Sequence, residues 1–446
     1  MSDDKKGSIG LYGAIAIGIG GMVGGGIFAV LGLAVSMAHG ATPIAFAIAG
    51  AIAMLTAFSY AKLSVAFPSQ GGTVVFLDRA FGHDSIVGGL NFVLWLSYLV
   101  TLSLYATAFE SYAKTFFPVG LQTAWLHHGL ISIAIIIPVV INLLGAELIS
   151  KSETFIVVLK LILLGIVVSS GAMFIEPARL AVSSWAPMSA VIPAGMVIFV
   201  AYEGFELISN AAEDVRNPSV TLPRAYYSSV GIVVVLYILV AILTVGVVPE
   251  NLIATSKDYV LAEAARPALG QFGFYLVGVA AMLATISAIN ATIYGNARLG
   301  FILAKDKELP EFMERKVWDQ PFGVLVVGAI TLCMANLLDI ESISVIASAG
   351  FLLIFAAVNL AGAKLAPTIH ARRYPMLIGS IVCFAVLCIL LWQSATDNPK
   401  ACAAFFAVLV CAFLFEFFLA KFYKPSKRAW HSFRKSAPKS ASSSDS

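Results

Sequence analysis

Charge is what this sequence has least of. Only 12% of its 446 residues are Asp, Glu, Lys or Arg, about half the share of a soluble globular chain. That shortage excludes an ordinary water-soluble domain. The net charge of +3 offers no basic surface for nucleic acid. Cysteine is scarce too. The five residues Cys333, Cys383, Cys388, Cys402 and Cys411 form no CxxC spacing, so neither a disulfide framework nor zinc is expected. The pair His127-His128 reads as a solvated turn before a span and not as a metal site. No HExxH, phosphate loop or nucleophile–base spacing occurs. An enzyme is therefore not expected, and neither is a cofactor.

What is present is apolar length. Hydrophobic residues make up 59% of the chain and mean hydropathy is +0.91. A spanning helix needs about 20 apolar residues. Twelve segments meet that need, at about 10–37, 42–66, 86–117, 128–146, 151–174, 190–212, 225–248, 271–303, 321–339, 343–363, 376–394 and 399–421. Residues 1–9 form a polar N-terminus with no cleaved signal expected. The Lys- and Ser-rich tail, 422–446, is expected to be partly disordered. Lys and Arg crowd the segments on the N-terminal side of the membrane, including Lys5, Lys6, Arg79, Arg216, Arg224, Lys305, Arg315, Lys316, Arg372, Arg373 and the tail. The opposite side carries Lys114, Arg179, Lys257, Arg266 and Lys400. The positive-inside rule then puts both termini in the cytoplasm of a multi-pass protein of the cell (inner) membrane.

The stretch Gly18-Ile19-Gly20-Gly21-Met22-Val23-Gly24-Gly25-Gly26-Ile27-Phe28 interrupts the first span with six glycines. Glycine disfavours helix by about 1 kcal/mol against alanine, so the run is either a break or a close-packing face. A second interruption is expected about 180 residues later at Glu203-Gly204, within the sixth span. Spans 2 and 7, and the long spans 3 and 8, repeat at a similar offset. Five spans per unit is an odd number, so the second unit is inverted. The expected fold is an all-α polytopic membrane protein of the LeuT type. It has 12 transmembrane helices as a 5+5 inverted repeat plus two, with helices 1 and 6 discontinuous. The units are 10–174 and 190–363, and 376–421 lies outside the repeat.

Buried charge marks function in a membrane. Glu203 lies mid-span, with Glu206 one turn on. Glu203 either faces a cavity or only bonds backbone freed by the break. Lys160 lies nine residues into the fifth span. Either it accepts a proton or replaces a coupling cation, or it is a snorkelling or structurally paired lysine. The eighth span carries a polar run, Thr285 to Asn296, whose hydroxyls and amides are expected mostly to bond within or between helices. Glu110 is expected at the interface.

Several motifs resemble the amino acid–polyamine–organocation (APC) superfamily. They are Gly20 to Phe28, Phe199-Val200-Ala201-Tyr202-Glu203-Gly204-Phe205-Glu206, Ala212 to Pro218, Ile289 to Gly295, and Leu303 to Pro310 with Glu314 to Trp318. The similarity runs through essentially the whole chain and is strongest to archaeal proton-coupled, broad-specificity amino-acid transporters. The resemblance implies a substrate site between spans 1, 3, 6 and 8. The amino acid's carboxylate would meet the amides of Gly24, Gly25 and Gly26 at a helix N-terminus. Its ammonium would meet carbonyls of Met22, Val200, Ala201 and Glu203, and Tyr98 would close one side. Val200 stands where relatives carry an aromatic gate, so Phe199 or Tyr202 is left for that part. Lys160 matches the lysine that replaces sodium in proton-coupled relatives, bridging the Gly20 carbonyl and Ser287. The implied partners are an amino acid, protons and the lipid bilayer, with no nucleic acid, in a monomer or homodimer. The implied function is import of amino acids by proton-coupled alternating access. An amino-acid or polyamine exchanger, a sodium-coupled carrier and a non-transporting amino-acid sensor are the alternatives.

Overall fold

The computed structural model describes residues 7–144, 147–306, 308–317 and 320–422, the side chains of 147–154 and 420–422 excepted. The expectations for the first six residues and for the tail beyond 422 lie outside the described residues. Helices dominate: α1 (Leu11–Met22), α2 (Gly26–Ala38), α3 (Thr42–Ala66), α4 (Thr73–Phe81), α5 (Ser85–Ala113), α6 (Ala124–Leu144), α7 (Glu147–Gly171), the short α8 (Pro177–Leu180), α9 (Met188–Val197), α10 (Leu207–Asn210), α11 (Pro218–Val247), α12 (Glu250–Ser256), α13 (Val260–Lys305), α14 (Gly323–Leu337), α15 (Ile340–Leu365), α16 (Arg373–Asp397) and α17 (Pro399–Phe422). Two-residue strands at Lys316–Val317 and Gln320–Pro321 form the described sheet.

Among the described residues, ten helical segments are long and apolar enough to cross a membrane, and α1 with α2 makes an eleventh, bent by 49°. Each corresponds to an expected span. The remaining expected span, 321–339, appears as the 15-residue α14, shorter than a typical crossing. The protein is an all-α polytopic membrane protein. Apolar side chains exposed on α6 and α7, such as Ile133, Ile137, Phe155 and Ile162, suit hydrocarbon. Burial then sorts centre from edge. The apolar window of the sixth span is 89% buried and that of α15 83%, against 33% and 28% in α16 and α17. Buried polar contacts still tie α16 inward: Ser380 Oγ donates to Ala356 O on α15 (2.9 Å), and Cys383 Sγ lies 3.5 Å from Thr56 Oγ1 on α3.

Both expected interruptions are present. Helix α1 stops at Met22 and α2 starts at Gly26. Val23 leaves helical geometry (φ −81°, ψ 57°). In the sixth span, α9 gives way to a 3-10 turn over Ile198–Tyr202, Glu203 is extended, and Gly204 has φ 117°. The two breaks touch. A Cβ on Gly204 would fall 2.3 Å from the Gly21 carbonyl carbon, and one on Gly21 would fall 2.6 Å from the Gly204 oxygen. Glycine is needed twice over at 204, for the positive φ and for the approach. Replacing Gly204 by Ala should therefore cost about 3 kcal/mol or more. It should lower the melting temperature of the detergent-solubilised protein or abolish monodisperse material. Gly165→Ala, where a Cβ meets open space, should leave the melting temperature within the scatter.

Candidate functional site

The glycine run forms a cradle closed by direct contact. A Cβ on Gly24 would lie 2.7 Å from Ala288 Cβ, one on Gly25 2.5 Å from the Tyr105 ring, and one on Gly26 2.9 Å from Ala201 Cα. Spans 1, 3, 6 and 8 therefore converge on residues 24–26. Breaking a helix frees backbone groups, and buried ones must find partners. Six hydrogen bonds answer that need. The Tyr237 hydroxyl, on α11, lies 2.7 Å from Met22 O and 3.2 Å from Ala201 O, so one hydroxyl serves both breaks. Ser348 Oγ, on α15, donates to Val197 O (2.8 Å) and accepts from Val200 N (3.0 Å). The Val200 carbonyl accepts from Glu203 N (3.2 Å). Lys160 Nζ donates to Val23 O (2.7 Å). The carbonyls of Met22, Val200 and Ala201 thus already have donors from the protein.

The carboxylates of the second break are buried and faced by tyrosines from α5. Tyr105 donates to Glu203 Oε2 (3.3 Å) and Tyr98 to Glu206 Oε1 (3.0 Å). Glu206 Oε2 also accepts from Gly204 N (2.8 Å). Tyr98 and Tyr105 are two turns apart on one face of α5, so each reaches one of the two glutamates.

Beyond Tyr98 lies a narrow cleft, lined in part by Leu94, Tyr98, Leu207, Asn210, Thr292 and Asn296. It lies at the end of the bundle that holds the N-terminal segment, whose Ile9 pairs with Val215 and whose Gly7 carbonyl accepts from Arg216. The opposite end is sealed. Residues 257–259 lie on α2 so closely that a Cβ on Gly32 would fall 1.8 Å from Lys257 O. Lys114 reaches Asp258 (3.4 Å) and Glu110 (3.7 Å), and Glu110 meets His127 Nδ1 at 3.1 Å. Glu110 lies toward this end of its span, as expected, and is buried and ion-paired there. His127 and His128 lie inside α6, and His128 Nδ1 lies 2.8 Å from Asn336 Oδ1. The reason is that α6 starts at Ala124, one turn earlier than hydropathy alone suggests.

The remaining expected residues fall as follows. Lys160 reaches the first break through the carbonyl of Val23, where the family pattern gives Gly20. Val23 lies between the two half-helices, so its carbonyl is outside either ladder. Ser287 lies on α13 beside Ala288, half-buried. Phe199 packs edge-on against Phe355 (5.9 Å), and Tyr202 donates to Phe46 O (2.9 Å), so both turn away from the cleft. Tyr105, Tyr237, Ser348 and Ala288 were not singled out in the sequence. The signal available for them was the demand for donors and small neighbours opposite each break.

A family model described as amino acid permease matches residues 9–432. The chain belongs to the amino acid permease family. An uncharacterized protein of Methanocaldococcus jannaschii is 33% identical over 94% of this chain and 97% of its own length. The inner membrane transport protein YbaT of Escherichia coli is 32% identical over 88% and 92%. The chloroplastic cationic amino acid transporter 9 of Arabidopsis thaliana is 30% identical over 69% of this chain and 57% of its own. This permease is accordingly a multi-pass membrane protein of the APC superfamily, an amino acid transporter and not an enzyme.

The packing at the cradle is testable. Gly25→Ala should displace the Tyr105 ring and cost about 1–3 kcal/mol. Combined with Tyr105→Ala it should show a favourable coupling of at least about 0.5 kcal/mol, read as a melting temperature above the sum of the single losses.

Proposed function

We propose that this permease imports amino acids by alternating access, coupled to protons through Lys160. The observation that carries the proposal is the bond from the buried Lys160 ammonium in α7 to Val23 O in the break of the first span. A charged amine holds the half-helices of span 1 to α7. A neutral amine keeps donors but loses the charge-assisted strength of the bond, so proton release loosens span 1. That is a two-state element for alternating access. The family match and the E. coli inner-membrane relative support amino acid transport across a cell membrane. The charge bias of the loops supports cytoplasmic termini. On that orientation the cleft beyond Tyr98 faces the cytoplasm and the seal at 257–259 faces outward.

In this reading the substrate carboxylate takes the amides of Gly24, Gly25 and Gly26 at the start of α2, where the helix dipole favours an anion. The ammonium takes Met22 O and Ala201 O, with Val200 and Glu203 near it. The Tyr98–Glu206 contact closes the way to the cleft, and Phe199 and Tyr202 fill the span 6 break. The segments 10–174 and 190–363 serve as inverted units, and 376–421 packs at the edge. Gly20 and Ser287 flank the coupling lysine.

Proteoliposome uptake of a panel of radiolabelled amino acids, with proton and sodium gradients set separately, tests this. Uptake should rise when the outside is acidified and be indifferent to sodium. Lys160→Ala should remain monodisperse and lose at least about tenfold of the proton-driven rate, the scale of a charge-assisted bond. Strict sodium dependence, or a Lys160→Ala protein with the wild-type pH profile, would contradict the proposal.

A further inference from the structure

We infer that Tyr237 is an internal stand-in for the substrate's ammonium group, and that its hydroxyl lets the empty carrier reorient. The inference rests on the transport reading above and extends it to the half of the cycle in which no substrate is bound.

The argument starts from the two carbonyls. Met22 O belongs to the last turn of α1, and Ala201 O to the turn between α9 and Glu203. The breaks deprive both of helical partners, and both residues are buried. They point at one place, and the Tyr237 hydroxyl occupies it, at 2.7 and 3.2 Å. The hydroxyl is held there by its ring, which packs edge-on against Phe46 (5.9 Å) and tilted against Tyr202 (5.1 Å). Tyr202 cannot substitute, because its own hydroxyl donates to Phe46 O.

A phenol has one hydrogen to donate, and an ammonium has three and a charge. An arriving amino acid therefore satisfies both carbonyls together and more strongly, and displaces the hydroxyl. When the amino acid leaves, the closed state would hold two buried carbonyls with no donor, a cost of desolvated polar groups. Tyr237 supplies the donor. The closed state is crossed twice in a transport cycle, once loaded and once empty. The ammonium supports the first crossing and Tyr237 the second. A carrier without that second donor closes readily only when loaded, which makes it an exchanger. With it, net uptake proceeds.

The test compares two modes in proteoliposomes, using a panel of radiolabelled amino acids. Net uptake is measured into vesicles without internal substrate, and exchange into vesicles preloaded with the unlabelled compound. The wild type should show net uptake. Wild-type uptake that requires internal substrate would overturn the inference without any variant. Tyr237→Phe keeps the ring and removes the donor. Its ratio of net uptake to exchange should fall about tenfold, the effect of leaving a buried group unpaired. An unchanged ratio, or equal losses in both modes, would overturn the inference while leaving amino acid transport standing. A wild-type protein that moves no amino acid in either mode would overturn the transport reading and the inference together.

Discussion

Inside a bilayer no water is available to satisfy a freed peptide group. A broken helix there is stable only if the rest of the protein brings donors and acceptors to it. Everything distinctive about this chain follows from that requirement, because it breaks two spans side by side. Tyr237, Ser348 and Lys160 come from three other spans, and each ends on backbone released by a break. The carboxyl of Glu206 folds back on its own break through Gly204 N. Glycine makes the arrangement possible at two points, since Gly21 and Gly204 let the breaks meet without intervening side chains.

In the proposed mechanism the same requirement is what lets the site transport. Groups that must be satisfied by something can be satisfied by a ligand, provided the protein's own donors are weaker or movable. Met22 O and Ala201 O are held by a neutral hydroxyl, which an ammonium outcompetes. Val23 O accepts from Lys160, whose loss of a proton is the coupling step proposed above. The two ends of the bundle differ correspondingly. One is closed by backbone laid on α2 and by the Glu110–Lys114–Asp258 ion pairs. The other is closed by two tyrosine–carboxylate contacts, beyond which lies the cleft.

The fold was legible because its signals are local. Apolar length located the spans, the glycine run located the first break, and a carboxylate beside a glycine at mid-span located the second. Lys160 stood out because a lysine so deep in a span requires a partner. The partners themselves were not legible. Tyr237 looks like any tyrosine in α11, and Ser348 like any small residue in α15, until the breaks are brought against them. The exact carbonyl that Lys160 meets depends on where the helix stops within one turn, and glycine spacing leaves Gly20 and Val23 equally near. The partners of Glu110 were hidden for a similar reason. Its burial comes from His127 on α6 and from the 257–259 segment, which lies far along the chain.

The central claim is that the substrate replaces the protein's own donors at the two breaks. A structure of the protein with a transported amino acid bound tests it most directly. The account predicts the carboxylate on the amides of Gly24 to Gly26, the ammonium on Met22 O and Ala201 O, and the Tyr237 hydroxyl displaced from both. An amino acid bound elsewhere, with Tyr237 still bridging those carbonyls, would contradict it.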